Sequence, residues 1–252
     1  SLLDNPFNNK DPLEKFLYAF MRICLCFFSS KLLIYLLTKT NFIKKSSATS
    51  TYLKPLSNFI ERYGKTAFLI LLLIGLYRIA DIVMGVVANI FYLDKGYNVK
   101  EIATYSKFFG VFATIIGGII GGYSAIKIGT LKTLFIGAVI AAASNLLFAW
   151  LAVSNTNINL LITVITADNI SSGFAGAAFV VYLTALTSIK FTATQYALFS
   201  SLMLLLPKVL AGYSGVIVNQ IGYANFYIFT AIIGIPVLLL IIWIAKIAPV
   251  KD

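Results

Sequence analysis

From residue 66 onward the chain reads as six long apolar stretches separated by short polar breaks, at about 67–92, 99–126, 132–153, 158–189, 195–219 and 224–245. Each is near the ~20 residues that a helix needs to cross a ~30 Å hydrocarbon core, so the pattern predicts six transmembrane helices. The breaks alternate in charge. Lys44, Lys45, Lys54, Arg62 and Lys65 precede the first stretch, Lys127 and Lys132 flank the break after the second, Lys190 follows the fourth, and Lys246 and Lys251 follow the sixth. The other breaks read DKGYNVKE, SNTNIN and NQIGYAN, and none is net positive. By the positive-inside rule, both ends of this segment are expected in the cytoplasm.

Ahead of the spans, residues 13–37 form an apolar stretch with a narrow polar stripe. Lys15, Arg22 and Ser29 recur at seven-residue spacing beside Glu14 and Tyr18, while Lys31 falls on the other side. This segment is either an amphipathic helix in the headgroup region or a seventh span. The interface is preferred, because six spans already satisfy the charge alternation. The expected organisation is a cytoplasmic or interfacial connector at 1–65, a six-helix bundle at 66–247 and a cytoplasmic tail at 248–252. The opening residues, SLLDNPFNNKDPLEK, are polar and show no signal-peptide pattern.

Composition narrows the class further. The chain is 60% hydrophobic and 12% charged, against about 25% charged residues in ordinary soluble domains. An all-α integral membrane protein follows. Of the 20 basic residues behind the net charge of +11, half precede Thr66. That fits a connector attracted to anionic lipid better than a nucleic-acid site, so the expected partner is the bilayer. Histidine is absent, and Cys24 and Cys26 have neither redox nor zinc spacing. No cofactor or metal is implied, and any proton relay must use carboxylates. An intramembrane enzyme is disfavoured, since no Ser–Lys pair has an obvious oxyanion partner.

Five ionisable residues, Arg78, Asp81, Lys107, Asp168 and Lys208, interrupt the apolar spans. Each costs roughly 2.5–3.5 kcal/mol to insert, so such residues normally face a cavity or a partner. On the first span, Arg78, Asp81, Gly85 and Asn89 are spaced for one helical face; on the second, Lys107, Gly110, Thr114, Gly118 and Gly121. The fourth carries Asp168, Ser171, Ser172 and Gly176, and the fifth Ser201, Lys208, Gly212, Gly215 and Asn219, with a bend at Pro207. The third and sixth lack interior charges and read as peripheral. Helical rise puts Arg78, Asp168 and Lys208 roughly 15–20 Å into their spans, near the midplane, with Lys107 nearer the outer side. Two readings stay open at this point. The charges line a solute pathway, or they staple the bundle, with Arg78 neutralising Asp81 and a lysine pairing with Asp168. GGIIGG (117–122) reads as a close helix-packing surface.

The loop GGYSAIKIGTLKT (121–133) resembles the basic signature between the second and third helices of each half of major facilitator transporters. Gly122, Lys127, Gly129 and Lys132 match it, and Ile126 stands where an acidic residue is frequent. GLYRIADIVMG (75–85), YSKFFGVFATIIGGIIGG (105–122), DNISSGFAGAAFVVYLTAL (168–186) and FTATQYALFSSL (191–202), with PLSNFIERYGK (55–65) as lead-in, are similar to the C-terminal half of the muropeptide permease (AmpG-type) family. The resemblance covers about 55–246. It implies a six-helix half of the major facilitator fold and a bacterial inner-membrane location. It also implies proton-driven import of anhydromuropeptides, meaning GlcNAc-anhydroMurNAc and its peptides. The other six-helix half would then complete the cavity, on the same chain or a separate one. Where the family is expected to carry Lys, this chain has Arg78, which keeps the charge but is a poor proton shuttle.

On this reading Asp168 is expected to couple protons, with Asp81 secondary because Arg78 holds it ionised. An anionic substrate would meet Lys107, Lys208, Arg78, Asn89, Ser171, Ser172 and Asn219. An acetyl-CoA-type or other anionic-metabolite transporter of the same superfamily and a degenerate, non-transporting membrane remnant are the alternatives.

Overall fold

The computed structural model describes residues 54–247 and six positions between 21 and 32. Of the 13–37 segment, Met21, Arg22, Leu25, Phe28, Ser29 and Leu32 are helical and exposed. The remainder of that segment, the two cysteines, the linker as far as residue 53 and the tail at 248–252 lie outside the described residues.

The apolar periodicity becomes helix throughout, with no strand among the described residues. Six helices are long and apolar enough to cross a membrane. Helix α1, Lys54–Tyr63, leads through a short 3-10 turn into the first span, which is built from α2, Ala67–Leu76, and α3, Ile79–Asp94. The second comprises α4, Val99–Thr104, a π-turn at Tyr105–Phe109, and α5, Gly110–Ile128. The third is α6, Thr130–Val153, and the fourth is α7, Ile158–Leu186. Helix α8, Thr192–Ala211, opens the fifth and α9, Ser214–Ile247, completes it before reversing at Gly222 to form the sixth. Gly222 has φ 77°, a left-handed value suited to glycine, so the reversal falls inside the expected NQIGYAN break.

Each end of the bundle is tied by specific bonds. At the lysine-rich end, Phe59 of α1 is fully buried and meets Phe199 edge-on at 5.0 Å. Arg62 donates to the Leu186 carbonyl at 3.1 Å, which satisfies an orphan acceptor at the end of α7. Gln195 Oε1 accepts from the Ser188 amide at 2.7 Å, while its Nε2 approaches Asn58 Oδ1 at 3.4 Å. The FTATQYALFSSL stretch therefore anchors the helix that precedes the first span. At the opposite end, Lys95 Nζ donates to the Ala152 carbonyl and Tyr97 Oη to the Asn157 carbonyl, clasping two breaks together.

The packing core runs between spans one, three, four and six. Phe91, Phe148 and Tyr227 form an aromatic cluster with centroid separations of 5.0–6.4 Å. The second span packs most extensively on the fourth, and glycine is the reason. A Cβ at Gly117 would collide with the Ile170 carbonyl, one at Gly121 with Phe174, and one at Gly173 with Thr114. GGIIGG is thus a packing surface on one side, with Gly117 and Gly121 in the seam and Gly122 open.

Candidate functional site

The first span breaks at Tyr77–Arg78, where Arg78 adopts φ −97°, ψ 12° and becomes the N-cap of α3. Asp81 then lies in the first turn of α3, where a helix dipole favours an anion. Arg78 Nε stands 3.0 Å from Asp81 Oδ2, with the two side chains 21% and 15% exposed. The Nε–H is not aligned for a hydrogen bond, so this pair is held mainly by charge. A second guanidinium nitrogen donates to Ser172 Oγ on the fourth span at 3.0 Å. Gly176, one turn beyond Ser172, leaves room for the guanidinium, since a Cβ there would sit 3.3 Å from Nη1.

Asp168, one turn before Ser172, has a different environment. It has no cation within ion-pair distance among the described residues, though it lies in the field of Asp81 and Arg78. Among the described residues, the hydroxyl within hydrogen-bond distance of it is Ser144 Oγ, at 3.4 Å. Ser144 also donates to the Ala141 carbonyl at 2.9 Å, and a hydroxyl has a single proton. The bond to Asp168 is therefore the weaker of the two. Tyr92 and Tyr227 complete the electrostatic surroundings of Asp168 from the first and sixth spans. The Tyr227 hydroxyl and the Asn145 amide are fully buried and make no hydrogen bond among the described residues.

The spacing on single helices did not anticipate this. Spans three and six were expected to be peripheral, yet they contribute Ser144, Asn145 and Tyr227 to the interior. The SerAsn pair inside AAASNLL was the available signal, and a reading based on charge passed over it. Asn169 accepts from Thr114 on the second span at 3.0 Å, Ser172 serves Arg78, and Ser171 is buried.

The remaining expected residues are not gathered into this cluster. Lys107 falls in the π-turn and is exposed, whereas the buried side of the second span runs through Gly110, Ala113, Gly117 and Gly121. Lys208 is exposed on α8, beside the buried Pro207. Neither lysine forms an ion pair among the described residues, so stapling of Asp168 by a lysine is not what the structure contains. Asn89 and Asn219 are exposed as well. The arrangement is a part-buried ion pair beside a part-buried carboxyl that has no cation partner among the described residues, with Lys107 and Lys208 exposed on the surface of the bundle.

Comparison with known proteins bears directly on this arrangement. No family model matches the chain. "Putative transporter AmpG 4" of Rickettsia conorii is 33% identical over 206 residues, which is 82% of this chain and 49% of that protein. "Putative transporter AmpG 1" of Rickettsia bellii is 37% identical over 189 residues, or 74% of this chain and 46% of the relative. The chain belongs to the AmpG transporter family. It spans about half the length of the curated relatives it matches, in agreement with the C-terminal half expected from the sequence.

Within this AmpG-family half, the basic signature is a turn of one residue. Gly129, at φ 91°, links α5 to α6, and the Thr133 amide and hydroxyl both donate to its carbonyl. Lys127 lies 5.8 Å from the Tyr123 ring centroid, Lys132 is exposed, and Ile126 is 82% exposed where an acidic residue was expected. The chain is a multi-pass membrane protein of a transporter family.

Proposed function

We propose that the chain is the C-terminal half of a proton-coupled secondary transporter that imports anhydromuropeptides across the bacterial inner membrane. In this reading 66–247 is the transmembrane bundle, 1–65 a cytoplasmic or interfacial connector with an amphipathic helix at about 13–37, and 248–252 a cytoplasmic tail. The lysine-rich end faces the cytoplasm. A second six-helix half closes the cavity, because secondary transporters bind substrate at the interface of their repeats.

One observation carries the proton-coupling role: Asp168, on the fourth span, lies among groups of the first, third and sixth, with no partner cation among the described residues and with a weak hydroxyl contact. No fixed cation locks the charge of a carboxyl so placed, which leaves it able to take up and release a proton during the cycle. Asp81 has such a cation in Arg78. The pair steadies the break in the first span and has a secondary place in coupling.

Lys107 and Lys208 are the cations left for the substrate. The five charges sum to +1, and with Arg78 matched to Asp81 and Asp168 protonated during part of the cycle, both lysines lack counter-ions. Carboxylates of the lactyl or peptide portion would supply them. Asn89, Asn219, Ser171 and Ser172 are assigned as neutral contacts, Ser172 reaching the site through Arg78.

The experiment is uptake of labelled anhydromuropeptide by proteoliposomes that carry the complete two-half transporter. An inward proton gradient should drive accumulation, and a protonophore should abolish it. Competition by acetyl-CoA as strong as that by unlabelled muropeptide would replace the substrate assignment. Accumulation insensitive to the protonophore would remove the coupling.

A further inference from the structure

At the lysine-rich end, the start of α6 and the end of α9 run side by side. A cavity of about 380 Å³ lies between them. Phe135 and Ile136 form one wall, Ile241 and Ala245 the other, and Lys132 and Lys246 stand at its mouth. The helical rise from Lys132 to Ile136, and from Ile241 to Lys246, is about 6–8 Å. The site thus has a cationic rim and an apolar interior one to two helical turns deep.

The charge at this rim is unanswered. Neither Lys132 nor Lys246 has a hydrogen bond, an ion pair or a ring contact among the described residues. Three other cations at the same end are engaged, Arg62 on the Leu186 carbonyl, Lys127 over Tyr123 and Lys190 over Phe191, whereas Lys65 is free of such contacts among the described residues but does not line the groove. Glu61 is the one acidic side chain among the described residues at that end. Lys132 also sits in the first turn of α6, where the helix dipole adds to its positive field. The flanking surface is apolar and exposed, through Ile136, Leu239 and Trp243. An occupant must then be anionic at the membrane surface and apolar immediately below it.

We propose that this groove binds an anionic phospholipid, with the headgroup phosphate on Lys132 and Lys246 and the first part of one acyl chain between α6 and α9. A zwitterionic lipid brings its own ammonium group to two lysines and loses most of the attraction. An anionic lipid brings a net negative charge where basic pockets between transmembrane helices characteristically hold headgroups. The site is separate from the carboxylate cluster and does not depend on the transport reading.

Native mass spectrometry of the full chain, released from micelles doped with phosphatidylglycerol or phosphatidylcholine of identical acyl chains, tests the proposal. The wild type should retain phosphatidylglycerol in preference. Each lysine near the surface contributes about a fivefold preference, so the double variant K132A/K246A should lose roughly 25-fold. K65A/K190A removes two lysines from the same end with the same change of net charge, and it should keep the preference. A245W fills the groove with both lysines intact, and it should also lose the lipid. Equal retention of the two lipids by the wild type would overturn the proposal. So would an equal loss in the K65A/K190A control, or undiminished phosphatidylglycerol binding by A245W.

Discussion

Two sides of the fourth span work by opposite rules. On one, Gly173 meets the second span backbone to backbone, and Gly117 and Gly121 answer from across the seam. There is no space for a single added carbon. On the other, Asp168 and Ser172 face the third and first spans, respectively, through contacts of 3.4 and 3.0 Å between polar atoms. The seam fixes the distance between helices in a medium where no hydrophobic force pulls them together. The polar side then has its geometry supplied by the seam and needs no strong bond of its own. Rigidity and chargeable chemistry are thereby divided between two faces of one helix.

The comparison is broken most severely by adding atoms to the seam. Gly117→Val must push the Ile170 backbone away and should cost about 3 kcal/mol or more, measured as loss of thermal stability in detergent. Gly122→Val, five residues along and facing open space, should change stability by less than ~0.5 kcal/mol. Similar losses in both variants would mean that the seam is not the tight contact described.

Next in size is the ion pair on the polar side. Arg78→Gln leaves Asp81 without its cation and should cost roughly 2–3 kcal/mol, a little under the penalty of stranding a fully buried charge because the pair is part-exposed. The double variant R78Q/D81N should recover most of that loss. A thermal-unfolding double-mutant cycle reads the coupling, and additive losses would show that the two side chains act separately.

The seam was legible in the sequence and much of the polar side was not, for a physical reason. Helical periodicity and small-residue spacing are properties of one helix, so the spans, the Gly129 turn and the GGIIGG face could be read from adjacent letters. The Arg78–Asp81 pair, three residues apart, was legible in the same way. Which hydroxyl faces Asp168 depends on how a different helix is rotated, and Ser144 lies 24 positions away. The turn at Tyr77–Arg78 and the π-turn at Tyr105–Phe109 also escaped, because each changes the face of the residues around it without a proline to announce it. Lys107 was placed on the glycine face for that reason.

A smaller effect separates the surface cations from both faces. Lys208→Gln and Lys107→Gln in the complete transporter should each weaken binding of an acidic muropeptide about tenfold, the worth of one charge-assisted hydrogen bond. Affinity for the neutral amide analogue should barely move. Isothermal titration of both ligands checks this, and equal losses for the two would mark the lysines as supports for the helices alone.

The central claim is that Asp168 carries the coupled proton. Asp168→Asn keeps the shape of the side chain and removes its ability to ionise, so the complete transporter should still exchange labelled for unlabelled substrate in counterflow while gradient-driven accumulation disappears. Normal concentrative uptake by this variant, or the loss of exchange together with accumulation, would contradict it.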